Sequence, residues 1–308
     1  MPITPTAKIW MDGELVDWQD ATVHVLTHSL HYGTAVFEGI RAYPTAAGTA
    51  VFRLREHVAR LLASAHLLAL DVPYGKDELV AAVLDTVASS GLDACYIRPL
   101  VYLGYGEMGL NPLPCEVRVA VAVWPWGAYL GEDGVRNGIR LKVSSWARLD
   151  PRTLPTAAKA TGMYMNSSLA KVEAVRAGYD EALMCTTDGY VAEGTGENLF
   201  LVRRGEILTP PSSAVGALEG ITADSVRTIA QDLGYEVREV LLRRSDLYLA
   251  DEAFLTGTAA EVVPISSVDD RLVADGRPGP VTTAIQEVYF GAVRGEVDRY
   301  KDWLERVV

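Results

Sequence analysis

Residues 181–210, EALMCTTDGYVAEGTGENLFLVRRGEILTP, constrain the fold more than any other stretch of the chain. Their apolar segments are parted by Asp188-Gly189 and Arg204-Gly205, and glycine-containing pairs between apolar runs signal tight turns between neighbouring antiparallel strands. This predicts an antiparallel meander. The same signal opens the chain, where KIWMDGELVDW reads as two short strands around an Asp12-Gly13 turn. REHVARLLASAHLLAL and KDELVAAVLDTVASSG place apolar residues at helical spacing, Val58, Leu61, Leu62 and Ala65 in the first, and Gly91 stands where it can close the second. ACYIRPLVYLG and EVRVAVAVWPW are rich in β-branched and aromatic residues and read as strands joined by a Gly- and Pro-containing loop. Helices and antiparallel strands together predict an α+β protein.

At 308 residues the chain exceeds the usual single domain. We expect a small α+β domain over residues 1–124 and a larger one over 139–308, with a cleft between them. Residues 125–138, glycine-rich and without an apolar period, are the expected connection. The second domain should hold a strand over 139–144, a helix over 163–177 stopped by Gly178, and a helix with Thr222 as N-cap and Gly234 beyond its end. EAFLTGTAAEVVPI reads as a strand broken by a small-residue turn, and VTTAIQEVYFGAVRGEV as a helix that closes the chain.

Composition removes several function classes. With 49% hydrophobic and 22% charged residues, the chain has the balance of a globular protein, and no segment has the apolar length to span a bilayer. The N-terminal segment lacks the pattern of a signal peptide, so a cytoplasmic protein is expected. Cys95, Cys115 and Cys185 are an odd, widely spaced set without CxxC spacing, which argues against a disulfide framework and against a zinc site. A formal net charge of −12 with no basic, aromatic-interleaved run argues against nucleic acid. Small anionic metabolites remain suitable, since a few arginines can define a positive pocket inside an acidic protein.

Four stretches could carry chemistry. In PTAAKATGMYMNSSLAKVEA, Lys159 lies among small residues that would admit a flat ligand, with Tyr164 about one and a half helical turns on. Alone, this stretch fits a solvated cation as well as a reactive amine, because a lysine is nucleophilic only when neutral. GALEGITADSVR sets Gly216 and Gly220 before a helix, and backbone N–H groups at a helix start can cradle a phosphate. GTAAE, residues 257–261, offers a second run of backbone donors, or a plain strand kink. VAEGTGENLFLV places Glu193 and Glu197 among glycines, where a carboxylate could hold a protonated ring nitrogen or lie in a solvated turn. Arg60 reads as a helix-surface charge, and His24, His28 and His31 lack the acidic or cysteine partners of a metal site.

Taken together, HSLHYGTAVFEGIRAY, FRLREHVARL, YIRPLVYLG, WPWGAYLG, PTAAKATGMYMNSS, EGTGENLF, LEGITADSVR and FLTGTAAEVVPI resemble, in order, the blocks of the branched-chain amino acid aminotransferases, fold-type IV enzymes that use pyridoxal 5′-phosphate. The resemblance implies a smaller N-terminal sandwich-like domain and a larger C-terminal domain with a pseudo-barrel sheet. It implies that Lys159 holds the cofactor aldehyde as a Schiff base and shuttles the substrate proton. Glu193 would face the ring nitrogen, Tyr164 the ring oxygen and Leu218 the ring face. Arg60, Gly220, Ile221, Thr222 and Thr258 would hold the phosphate.

On the substrate side, the resemblance implies an apolar wall of Tyr32, Phe37, Trp126, Tyr129 and Tyr164, with Gly39 beside it. Tyr96 and the amides of Thr258 and Ala259 would receive the α-carboxylate. Arg98, with Tyr32 and Tyr129, would receive the second carboxylate of glutamate, and Arg41 would support that network. The implied reaction is reversible amino transfer between leucine, isoleucine or valine and 2-oxoglutarate, by a homo-oligomer of at least two subunits, with a hexamer as one form, without metal, membrane or nucleic acid. A D-amino acid aminotransferase, an (R)-amine transaminase, an aminodeoxychorismate lyase and a non-catalytic pyridoxal phosphate carrier are the alternatives. Met163 departs from the family pattern, which has asparagine there.

Overall fold

The computed structural model describes residues 3–127 and 129–307; Ala128, in the expected connection, lies outside the described residues. The chain packs as two units. The first takes in the chain up to Trp126, Ala158–Met163 and the chain from Ala292 on, and the second takes in Gly127–Ala157 and Tyr164–Gly291.

The first unit is built on an antiparallel sheet. Its strands are β1 (Lys8–Met11), β2 (Glu14–Asp17), β3 (Ala35–Phe37), β4 (Ile40–Thr45), β5 (Gly48–Phe52), β6 (Cys95–Leu103) and β7 (Val117–Trp124), with helices α1 (His28–Tyr32), α2 (Leu54–Leu67) and α3 (Lys76–Ser90). The strands run in the order β5-β4-β6-β7-β1-β2, and β3 pairs with β6. The Asp12-Gly13 turn forms as expected, with positive φ at both residues (49° and 102°), the geometry that matches strand twist. β7 buries Val119, Val121 and Val123 and leaves the residues between them half-buried, so its period of two selects one face. α3 covers that sheet with Leu79, Val80, Val83 and Val87. The chain does not end in a helix: Leu304–Arg306 returns as a strand beside β5.

The second unit holds β8 (Ile139–Val143), β9 (Glu181–Cys185), β10 (Val191–Gly194), β11 (Asn198–Arg203), β12 (Glu206–Thr209), β13 (Val237–Glu239), β14 (Glu252–Gly257) and β15 (Glu261–Val268). Its helices are α4 (Gly131–Asn137), α5 (Tyr164–Arg176), α6 (Ser212–Val215), α7 (Ile221–Asp232), α8 (Arg244–Leu247) and α9 (Pro280–Val293). The strand order is β10-β9-β8-β15-β14-β11-β12-β13. Residues two apart, Ile139 and Leu141, Leu199 and Leu201, Val263 and Ile265, close on one core. α5 lies on β9 through Ala170, Ala174 and Ala182, small enough to let helix and strand approach closely.

The expected meander holds in two pieces and breaks between them. β9 pairs with β10 and β11 with β12, but β11 leaves β10 to pair with β14. The break falls at Gly194–Glu197, where the Gly194 N–H donates to Glu197 O at 2.7 Å and turns the chain. The expected connection also contains a short helix, α4, and among the described residues no helix is long and apolar enough to cross a membrane.

Candidate active site

In the first unit, Ala158–Met163 lies alongside β3. The Phe37 N–H donates to Lys159 O at 3.0 Å, Val36 and Ala160 form an isolated antiparallel bridge, and the Lys159 N–H donates to Ser64 Oγ of α2 at 3.0 Å. The peptide groups of Lys159 are therefore fixed on both sides. The small neighbours have a backbone reason: a Cβ on Gly162 would stand 3.0 Å from Gly33 O, so a larger residue would push the segment off. Ala158 and Ala160 are buried, and Lys159 is half-buried with Nζ 5.2 Å from the Phe37 ring centroid. Met163 is buried at the end of the turn that follows.

Arg60 is not the surface charge that its helix position suggested. Its Nε donates to Glu38 Oε1 at 2.7 Å and its Nη2 to Glu38 Oε2 at 2.9 Å, while His57 Nδ1 lies 2.7 Å from Oε2. Glu38 is fully buried. Burial would raise its carboxyl, but the Arg60 charge, the His57 ring and their hydrogen bonds outweigh this and hold it well below the usual carboxylate range. Burial likewise lowers the His57 imidazole, against the pull of the Glu38 charge.

Strand register gathers the other residues of this unit. Arg41 of β4, Tyr96 of β6 and Trp124 of β7 stand directly opposite one another, and Arg98 follows Tyr96 on the same face. The Arg98 guanidinium carbon lies 4.6 Å from the Phe37 ring, 5.3 Å from Tyr96 and 5.8 Å from Trp124, and Nη2 donates to Tyr96 Oη at 3.3 Å. Arg98 Nε is buried without a hydrogen-bond partner, a costly state for a cation unless a ligand completes it. Gly39 sits under the Tyr96 phenol, where a Cβ would come within 2.0 Å of Oη. Trp126 meets the Tyr96 ring edge at 4.3 Å and accepts a hydrogen bond from Arg41 Nη2 at its carbonyl. Tyr32 ends α1, 42% exposed and packed on His28.

In the second unit, Glu193 lies on β10 just after a bulge, where the register against β9 slips between Val191 and Glu193. Bulges re-aim side chains. Its carboxylate is buried against Arg148, Nε to Oε1 at 2.8 Å, and accepts the Leu218 N–H at 3.1 Å. Arg148 is a residue that sequence reasoning missed. Asn198 Nδ2 holds Leu218 O at 2.8 Å, and Asn198 stands opposite Thr256, which leads through Gly257 to Thr258 and Ala259. Tyr164 opens α5, and Tyr129 lies under the Lys171 ammonium at 5.3 Å.

Two details of the helix start differ from expectation. α7 begins at Ile221 with Gly220 as N-cap, so Thr222 is its second residue, and Gly216 belongs elsewhere, closing α6 with φ 67°. Gly220 is required by space: a Cβ there would fall 1.9 Å from Asn198 Oδ1. Among the described residues no side-chain bond caps the N-terminus of α7, whereas Glu252 takes the first N–H groups of α9 at 3.0 and 2.8 Å. The contrast fits α7 to an external anion. A buried, arginine-paired carboxylate beside it fits a ring bearing a protonated nitrogen. The residues present thus fit a phosphorylated pyridine cofactor.

An α+β fold with a fixed lysine on one unit and an anion-ready helix start beside a buried carboxylate on the other defines a class of protein, the class IV aminotransferases. The family model described as amino-transferase class IV matches residues 35–268, and the chain belongs to that family. It is 48% identical to the branched-chain-amino-acid aminotransferase of Pseudomonas aeruginosa over 295 residues, 96% of this chain and 95% of the relative. The crystal structure of the Escherichia coli branched-chain amino acid aminotransferase matches with TM-score 0.96 and 48% identity, over 98% of this chain and 100% of that one. The crystal structure of the branched-chain amino acid aminotransferase from Thermobaculum terrenum, in its PLP-form, matches with TM-score 0.92 and 37% identity over 99% of each chain.

Proposed function

We propose that the protein is a pyridoxal 5′-phosphate-dependent branched-chain amino acid aminotransferase, moving the amino group of leucine, isoleucine or valine reversibly to 2-oxoglutarate. The observation that carries this is the end-to-end match, at about half identity, to proteins bearing that activity's name. When bound, the cofactor supplies a protonated ring that takes up the electron pair released at the substrate Cα.

Lys159 anchors the cofactor and, as a free amine, takes the proton from Cα at Nζ. Its fixed peptide groups leave the side-chain torsions to make that movement. Glu193 accepts the ring N–H, and Arg148 braces its carboxylate. The amides of Ile221 and Thr222, with Gly220 giving access, Thr258 and Arg60 hold the phosphate; Tyr164 holds the ring oxygen and Leu218 the ring face. Tyr96 and the amides of Thr258 and Ala259 receive the α-carboxylate, while Phe37, Tyr32, Trp126, Tyr129 and Tyr164 exclude water around the aliphatic side chain. Gly39 leaves the Tyr96 hydroxyl room to do this. Arg98 receives the second carboxylate of the glutamate pair, which its buried, unpartnered Nε supports, and Arg41 braces that wall.

The test is release of the 2-oxo acid from L-leucine, L-isoleucine and L-valine with 2-oxoglutarate as acceptor. Absence of turnover on all three by cofactor-loaded protein overturns the reading. D-amino acids and chiral amines run in parallel separate it from the other activities of the fold.

A homo-oligomer of at least two subunits, with a hexamer as one form, belongs to the same reading. Exposed apolar residues on the first unit, Val25 at 70%, Leu30 at 63%, Leu110 at 87% and Leu113 at 74%, support it. Light scattering measures the size, and a monomer would refute the oligomer. A cytoplasmic location, expected from the sequence, is checked by cell fractionation.

A further inference from the structure

Helix α2 presents His57, Arg60 and Ser64 at spacings of three and four, one face of the helix. That face is bonded to two places only a few residues from the reactive centre. Ser64 Oγ holds the Lys159 N–H at 3.0 Å, and His57 and Arg60 both meet Glu38. Glu38 in turn is held by its own backbone, its N–H donating to Pro99 O at 2.9 Å, and it follows Phe37, whose N–H holds Lys159 O. The functional reading above gives Glu38 no part. Burying a carboxylate and a guanidinium costs several kcal/mol for each ion, and an apolar pair of the same volume would stabilise the fold at least as well. What the ion pair adds is direction: a two-point fork fixes the plane of the guanidinium as no apolar contact could.

We propose that Glu38 is a positioning residue for the cofactor phosphate, acting through Arg60. This rests on the reading that the protein binds pyridoxal 5′-phosphate with Arg60 on its phosphate. With Nε and Nη2 both bonded to Glu38, the plane of the Arg60 guanidinium is set before a phosphate arrives. The same helix face fixes the lysine through Ser64, so anchor and reactive amine share one rigid support.

The experiment compares two ligands that differ at the phosphate. Holoenzyme is stripped of cofactor and titrated with pyridoxal 5′-phosphate and with pyridoxal, which carries a hydroxyl in its place, following visible absorbance. Wild-type protein should prefer the phosphorylated ligand strongly. Arg60→Ala and Glu38→Gln should each weaken that ligand by about 10- to 100-fold, the worth of a charge-assisted bond, and leave pyridoxal affinity within about twofold. The double variant should bind the phosphorylated ligand no more weakly than Arg60→Ala alone.

Glu38→Asp, which keeps the charge, should lose less, and it serves as the test if Glu38→Gln does not fold. Equal weakening of both ligands, unchanged affinity in Glu38→Gln (or in Glu38→Asp where Glu38→Gln does not fold), or multiplicative losses in the double variant would overturn the proposal. If Arg60→Ala is selective and the Glu38 variants are not, this inference alone falls. If wild-type protein does not distinguish the ligands, the cofactor reading falls and the inference with it.

Discussion

Lys159 and Arg98 show how differently single residues can be read from a sequence. Alanines and glycine around Lys159 suggested access for a flat ligand, but their use in the structure is to let its backbone lie against Gly33 and β3. Replacing Lys159 by alanine should lower turnover by at least about a thousandfold, as loss of a positioned proton carrier does. It should also abolish the borohydride-trapped cofactor adduct, which mass spectrometry of the intact chain would reveal. Arg98 was singled out only through the resemblance of its block, and the strand register then sets it on the Tyr96 face. For Arg98→Met, KM for 2-oxoglutarate should rise by about 10- to 100-fold, as for a truncated charge pair, with KM for leucine within about threefold. Equal rises in both would remove Arg98 from acceptor recognition. Glu38 and Arg148 could not be found in this way. A buried carboxylate's counter-ion is chosen by tertiary packing, and neither residue lies in a periodic pattern that points to its partner.

At the scale of elements, the hairpins, the two long helices of the first unit and the small-residue turn between β14 and β15 were readable, because turn chemistry and periodicity are local. The departure of β11 from β10 was not. It depends on Gly194–Glu197 folding back on itself and on β14 offering an edge that local sequence does not announce. The start of α7 was misplaced by two residues for a related reason: a hydroxyl made Thr222 look like a cap, while the position is taken by a glycine that must clear Asn198. This predicts the outcome of Gly220→Ala. The new methyl must displace Asn198, which costs about 1–3 kcal/mol of stability as overpacking does, and it loosens the bond from Asn198 to Leu218 O. Cofactor affinity should fall together with the urea midpoint. Unchanged affinity in a destabilised variant would show that Asn198 supports the fold without positioning the helix start.

For the molecule as a whole, buried titrating groups set opposite limits on stability. Glu38 has its carboxyl held below the ordinary 4.5, so its contribution is present above that value and is lost as pH falls towards the folded value. His57, held below 6.5, contributes fully above 6.5 and is lost below it, because the unfolded ring takes up a proton that the folded one refuses. Glu197 acts in the other direction. Burial, and then the charge of Glu181, raise its carboxyl from 4.5 to about 8, against the Gly196 N–H and Lys171. Between those two values the folded state binds the proton and the unfolded state does not, so this group removes stability as pH rises, by at most about 1.4 kcal/mol per unit. Glu197→Gln keeps the shape and carries no charge. The variant should match wild-type stability below about pH 4 and exceed it progressively from there up to about pH 8. Urea denaturation of the two proteins at half-unit steps of pH measures the difference directly. Parallel curves from about pH 5 to about pH 8 would show that Glu197 is ionised in the folded protein throughout, with Lys171 as its counter-charge in place of the proton.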